Sequence, residues 1–313
     1  MITQAFVLGA GLGTRLRPLT EDVPKPLVPI FQKPLITFAF DHLAGAGVES
    51  FVVNTHHLPG RFEEMFADQR YQGHPLTLVH EPLLLETGGG IKNVERCLTA
   101  DPFLVYSGDI LTDFPLAPLI DEHFRSGNDV TLALRETGLA ANVAFRDGRV
   151  IDIGHRYGHI GNLDYANVSI WNRGIFERIP LGKKISFVPI LADWIGDQGQ
   201  IGGVILNDGR WYNLGSPKEY LAVHRVIMEE NWRPAYVKTP GWPRRVGTQA
   251  MIDPSAKITG FSSVADGCQV GAGAIVEDSI LWPGSQIASK SHLRRCIVRS
   301  DRAAEDWLSD VVI

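Results

Sequence analysis

Apolar residues along this chain follow two different rhythms. In the first two-thirds, short apolar runs at residues 5–8, 50–54, 76–80, 103–106 and 130–134 predict buried strands. Between them, residues 35–46, 60–66, 91–97 and 116–125 carry apolar side chains at helical spacing. Strand–helix alternation of this kind predicts an α/β fold with a Rossmann-like, mixed but mainly parallel sheet covered on both faces. Ligands in such sheets lie beyond the carboxyl ends of the strands. Residues 140–172 read as short antiparallel strands and loops, 175–179 and 187–195 as short helices, and 203–207 as a strand. Pro217 is well placed to open a helix over 217–229.

Beyond Thr239 the rhythm changes. Apolar residues recur every six positions at Ile252, Ile258, Val264, Val270 and Val276, then with a one-residue offset at Leu281, Ile287 and Leu293. Small and turn-forming residues fill the intervals, as in Pro254-Ser255-Ala256 and Pro283-Gly284-Ser285. This is the pattern of a short parallel β-helix. It predicts two or three coils, with Glu305-Asp306-Trp307-Leu308 capping the last. The division expected is therefore a domain over 1–238 and a linker plus β-helix and tail over 239–313.

Composition narrows the partners. The chain has 313 residues, a formal net charge of -5 and 21% charged residues, which argues against nucleic acid or an anionic membrane as a main partner. No apolar stretch is long enough for a membrane span, and the first strand begins almost at Met1, so a cytoplasmic protein is expected. Cys97, Cys268 and Cys296 lie far apart with no CxxC, which points to neither a disulfide framework nor a zinc site.

The chemistry is concentrated after the first strand. Gly9, Ala10, Gly11 and Gly13 let the backbone approach a bulky anion and offer amides to phosphate oxygens. Arg15, Arg17 and Lys25 add three positive charges, and Pro24 and Pro26 fix the backbone around the lysine. The Arg-Leu-x-Pro continuation and the lack of a third spaced glycine argue against a dinucleotide site. A carboxylate at Asp109, following a buried strand and Ser107-Gly108, faces the ligand end of the sheet. His56 and His57 are neighbours in an extended segment, so their side chains diverge and joint metal ligation is not expected.

Residues 11–20 (Gly-Leu-Gly-Thr-Arg-Leu-Arg-Pro-Leu-Thr), followed by Pro24-Lys25-Pro26, resemble the signature of the sugar-1-phosphate nucleotidyltransferases. Further similarity lies at Asn54-Thr55-His56-His57-Leu58, at residues 86–91, at Ser107-Gly108-Asp109 and at Trp211-Tyr212-Asn213-Leu214-Gly215-Ser216-Pro217. The branch most similar holds mannose-1-phosphate guanylyltransferases and N-acetylmuramate-1-phosphate uridylyltransferase. The coils from Ile252 resemble the left-handed β-helix that ends many members. The resemblance implies a nucleotidyltransferase fold and an enzyme that joins a nucleoside triphosphate to a sugar 1-phosphate with Mg²⁺, releasing pyrophosphate. It implies catalytic roles for Arg15, Lys25 and Asp109, and nucleotide contacts from Leu8, Gly9, Ala10, Gly11, Gly13, Thr14, Arg15, Glu86, Thr87, Gly88 and Gly89. Asp109 and Asn213 become the metal ligands, although many relatives carry Asp at the second position and asparagine offers only a neutral carbonyl. The family's Glu-Lys pair on the sugar side has no clean match, which leaves Asn142, Arg156, Asn167 and Lys184 as candidates for the sugar or its phosphate, with Asn167 placed best. Relatives form dimers and tetramers, so a homo-oligomer is expected.

Two other readings remain open on sequence alone. One is a cytidylyltransferase for a small phosphorylated alcohol, which shares the N-terminal signature; the other is a non-catalytic regulatory subunit, for which Asn213 and the missing Glu-Lys pair speak. An acyltransferase on the coils would have only His292 as its base.

Overall fold

The computed structural model describes residues 1–138 and 141–313; Ala140, with which the antiparallel region was expected to open, lies outside the described residues. The chain divides into two compact units, one of residues 1–12 and 36–211, the other of residues 13–35 and 212–313.

The first unit is built on a ten-stranded sheet. In chain order its strands are β1 Gln4–Leu8, β2 Ser50–Thr55, β3 Arg70–Tyr71, β4 His74–His80, β5 Phe103–Ser107, β6 Val130–Arg135, β7 Val143–Arg146, β8 Arg149–Ile153, β9 Asp164–Trp171 and β10 Ile201–Ile205. Their spatial order is β7-β8-β10-β6-β9-β5-β1-β2-β4-β3. The half containing β5, β1, β2 and β4 is parallel, while β9 runs antiparallel to both β5 and β6. All five expected N-terminal strands form. Their central residues, such as Phe6, Val52 and Val105, are buried in one core with Leu191 and Trp194 of the helix Phe187–Gly196. The middle region is antiparallel, as its pattern predicts.

One helix starts earlier than its periodicity indicates. Expected over 91–97, it runs Glu86–Asn93 and takes in three consecutive glycines. Glycine lowers helix propensity, so the run reads locally as a turn. Here the glycines let backbones approach closely, and that packing outweighs the propensity. A Cβ on Gly88 would stand 2.9 Å from the Ile185 carbonyl oxygen, and one on Gly89 would collide with the Lys183 carbonyl.

The second unit holds the helix Pro217–Glu229 and the C-terminal coils. The helix begins where the sequence places it, because Ser216 caps it by accepting from the Glu219 N–H at 3.3 Å. The coils form three all-parallel sheets consistent with a left-handed β-helix. Met251 pairs with Gln269, and Gln269 with Gln286, so the repeat shortens by one residue; this is the offset seen at Leu281. Val264, Val270, Val276, Leu281, Ile287 and Leu293 fill its interior with Cys268 and Cys296. The helix is longer than two or three coils. Ala303–Ala304 and Trp307–Ser309 join as strands, making two of the sheets four strands deep, so residues 305–308 extend the stack and do not simply cap it. Small alanines and an exposed tryptophan carry no apolar hexad signal, so these rungs were not legible from spacing. Among the described residues no helix is long and apolar enough to cross a membrane.

Candidate active site

In the first unit residues 8–11 and Asp109 lie at the carboxyl ends of neighbouring parallel strands. Leu8 ends β1 and pairs in register with Ser107 of β5. The Gly108 N–H donates to the Leu8 carbonyl at 2.9 Å, and a Cβ on Gly108 would stand 2.8 Å from the same oxygen. A glycine is required there, and it sets the half-buried Asp109 beside the turn that follows β1.

The next residue, Gly9, is held by a buried network. Its N–H donates to Asn54 Oδ1 at 2.8 Å, and Asn54 Nδ2 donates to Glu81 Oε1 at 2.7 Å. Glu81 Oε2 then accepts from the Leu85 N–H at 3.1 Å. Both side chains are shielded from solvent, and Gly90 packs against them: a Cβ there would stand 2.9 Å from Asn54 Nδ2 and 3.0 Å from Glu81 Oε1. A buried carboxylate needs such donors, since an unpaired one is strongly disfavoured in a low-dielectric interior. The network therefore fixes the start of the glycine loop and the helix at Glu86 with respect to each other. With its amide committed to Asn54, Gly9 contributes closeness of backbone; Gly11 is exposed, with nothing within 4 Å of where a Cβ would lie. Ala10 is buried beside it.

Sequence reasoning missed Glu81. The signal was present: it follows β4 just as Asp109 follows the end of β5, and strand ends of a parallel sheet are where ligand-side carboxylates lie. His56 Nδ1–H donates to the Glu81 carbonyl at 2.7 Å, which gives it a packing role.

Glu86, Thr87, Gly88 and Gly89 form the first turn of their helix. Thr87 Oγ1 accepts from the Phe187 N–H at 3.0 Å, and the Gly89 N–H donates to the Ile185 carbonyl at 3.0 Å. This brings Lys184 to the helix start, with its ammonium 3.8 Å from Glu86 Oε1; both side chains are largely exposed. Asn167 sits elsewhere, in a bulge of β9 where the pairing with β6 slips between Tyr165 and Ser169. It adopts a left-handed φ of 63°, and the neighbouring Ala166 carbonyl accepts from Trp211 Nε1 at 3.0 Å. Bulges commonly re-aim a side chain near a site. Asn142 is exposed, and its carbonyl accepts from the Gly154 N–H at 2.8 Å.

In the second unit the signature loop is packed tightly. Gly13 has a φ of +61°, and a Cβ on it would meet Thr20 Cγ2 at 2.9 Å and Lys25 Cβ at 3.1 Å. Its carbonyl accepts from Thr20 Oγ1 at 2.9 Å and from the Leu16 N–H at 2.9 Å, closing a short 3₁₀ turn over Thr14–Leu16. Thr14 and Arg15 are exposed on that turn, and Arg15 lies against Gly215: a Cβ there would be 3.4 Å from its Nη1. Lys25 is only 6% exposed, an uncommon fate for a lysine, and its Nζ donates to Asn213 Oδ1 at 3.4 Å.

Among the described residues no three His, Cys, Asp or Glu side chains form a metal cage. A hard cation carried by phosphates takes one or two protein carboxylates and keeps its remaining positions for substrate and water. In the first unit, Asp109 is a half-buried carboxylate of the type such a cation takes. Asn213 supplies a neutral oxygen that already faces an ammonium group.

Comparison with known proteins agrees with this picture. The family model described as nucleotidyl transferase matches residues 4–145. A mannose-1-phosphate guanylyltransferase of Mycobacterium tuberculosis is 29% identical over 302 residues, covering 93% of this chain and 83% of its own length. A D-glycero-alpha-D-manno-heptose 1-phosphate guanylyltransferase of Aneurinibacillus thermoaerophilus is 32% identical over 228 residues, covering 72% of this chain and 98% of its own length. Among solved structures, a putative glucose-1-phosphate thymidylyltransferase from Bacillus anthracis superposes with a TM-score of 0.64 at 15% identity, over 75% of this chain and 99% of that one.

Proposed function

The chain belongs to the sugar-1-phosphate nucleotidyltransferase superfamily and is an enzyme of the NDP-sugar pyrophosphorylase type, and on that premise we propose that it joins GTP to a manno-configured sugar 1-phosphate. The two relatives described, both guanylyltransferases acting on such sugars by name, support the choice of substrates. The observation that carries the chemistry is Lys25: a lysine held by two prolines in a packed loop, against the amide oxygen of Asn213, is a fixed cation placed in advance of its anion.

The reaction asks for position and charge more than for proton transfer. A phosphate oxygen of the sugar 1-phosphate is already an anionic nucleophile; it attacks the α-phosphorus, and pyrophosphate leaves in line. The amides at Ala10 and Gly11 and the turn at Gly13-Thr14 receive phosphate oxygens. Arg15 grips the β and γ groups, and Lys25 meets the charge that gathers on the α-phosphate. Bound Mg²⁺ would neutralise part of the triphosphate's charge, held on the protein side by Asp109. Asn213 serves chiefly to hold Lys25, because a second cation on its oxygen would be opposed by the ammonium already there. Glu86, Thr87, Gly88 and Gly89 face the nucleoside, and Asn167, with Asn142 and Lys184, receives the sugar phosphate. The reading includes a homo-oligomer in the cytoplasm.

A pyrophosphate-release panel tests it, with the four common nucleoside triphosphates against mannose, heptose, glucose and N-acetylmuramate 1-phosphates. The largest kcat/KM is expected for GTP with a manno-configured partner. Silence across the panel despite tight nucleotide binding would overturn the proposal in favour of a regulatory subunit.

A further inference from the structure

One arginine fastens the signature loop to the last coil of the β-helix. Arg299 follows the rung Ile297–Val298. Its Nη1 donates to the Pro18 carbonyl at 3.0 Å, to Glu21 Oε2 at 2.9 Å and to Asp22 Oδ2 at 3.0 Å, while Nε donates to the Ile313 backbone oxygen at 3.2 Å. The arginine side chain is 11% exposed, although both acids lie half in solvent. Arg302 adds a longer contact to Asp22 at 3.6 Å.

The latch is itself anchored. The Arg299 N–H donates to the Ile313 oxygen at 3.0 Å, and the Ile313 N–H to the Ile297 carbonyl at 2.9 Å, so the backbone that carries the guanidinium is part of the stack. One coil earlier, the buried Trp282 donates Nε1 to Tyr220 Oη at 3.0 Å, and Tyr220 Oη donates to the Pro29 carbonyl. The loop is thus gripped at Pro18–Asp22 and again at Pro29, and Lys25 lies between the two grips.

We propose that Arg299 is a positioning residue for nucleotide binding: through it the β-helix sets the geometry of the loop that presents Arg15 and Lys25. The proposal rests on the reading above, in which those two side chains bind the triphosphate. A guanidinium uses separate nitrogens for its two sides, Nε for the Ile313 oxygen and Nη1 for the loop, which the single nitrogen of a lysine ammonium cannot do. Together with Arg302 it also offsets the charge of two acids in a loop that must receive an anion. Loosened, the loop would present its cations in many arrangements, and small misplacements of binding groups are costly.

The test compares the intact full-length protein with Arg299→Ala and Arg299→Lys, and with the paired change Glu21→Gln, Asp22→Asn, which cuts the same grip from its solvent side. Arg299→Ala is expected to raise KM for the nucleoside triphosphate roughly 5- to 20-fold while KM for the sugar 1-phosphate stays within about twofold, and Arg299→Lys to recover only part of the loss. The paired change should shift the same constant less. Amide hydrogen exchange should quicken at Leu16, Leu19 and Glu21, and stay unchanged in β1 and β2. An unchanged nucleotide KM, an equal rise for both substrates, or undiminished protection in the loop overturns the proposal. If the unaltered protein turns over no substrate pair, the functional reading fails alone, and hydrogen exchange still decides the latch.

Discussion

The two units hold candidate active-site groups in place by opposite means. At the strand ends of the first, glycine backbone presses close on its neighbours: Gly108 on the Leu8 carbonyl, Gly9 on the Asn54 carbonyl, Gly90 on the side chains of Asn54 and Glu81. In the second, long side chains reach across: Lys25 to Asn213, Arg299 to Pro18, Glu21 and Asp22. A sheet can aim amides because its geometry is already fixed, provided no Cβ intervenes. A cation at the end of a flexible stem needs prolines, burial and partners before it is aimed at all. The first unit should therefore suffer from added atoms, and the second from removed ones.

The sharpest break of that contrast is Lys25→Ala. Losing one fixed cation that meets developing charge should lower kcat by about 10²- to 10³-fold, read by pyrophosphate release, with the thermal midpoint changing little. An unaltered kcat would remove Lys25 from the chemistry. On the other side, Gly9→Ala puts a Cβ 2.7 Å from the Asn54 carbonyl oxygen and 3.0 Å from Val53 Cγ1. It should destabilise the protein by about 1–3 kcal/mol. Gly11→Ala, with open space around its Cβ position, should leave the thermal midpoint in place. Equal melting temperatures for the two variants would contradict the close-approach account.

Acidification probes both units together. Burial pushes the imidazoles of His42, in the first unit, and His224, in the second, down to about 4. The folded pKa lies below the unfolded value near 6.5, so the unfolded chain takes up protons that the native one refuses. Stability from these groups is present above about pH 6.5 and falls as pH drops towards 4, by about 1.4 kcal/mol per pH unit for each histidine. Thermal melts at pH 7 and 5 should show a lower midpoint at pH 5, and His224→Gln should flatten the dependence. The smallest effect is expected of Asn213→Asp. A carboxylate there attracts both Lys25 and a cation, so half-maximal activity should need a few-fold less Mg²⁺; identical metal titrations would show that residue 213 has no part in metal binding.

Much of this arrangement was legible where local chemistry and tertiary demand agree. Residues 217–229 follow the capping Ser216, carry a first-turn proline and an apolar side, and form the expected helix. The strand at Gln4–Leu8 and the turn after it were legible for the same reason. The glycines at 88–90 were legible as special but not as helical, because their partners Lys183 and Ile185 come from far along the chain. Glu81 and Arg299 escaped notice for a related cause: each takes its importance from groups distant in sequence. Handedness of the coils and the sugar-side residues came from resemblance, since spacing alone carries neither.

The division of the chain between units also bears on biosynthesis. Residues 13–35 are made early, yet the groups that clasp them, from Tyr220 to Arg299, emerge from the ribosome only after residues 36–211. This charged loop must wait, without its clasp, while the sheet that flanks it in sequence condenses. Long-range closure of this kind is slow and comes late. The clasped form of this loop is thus a property the nascent polypeptide acquires late.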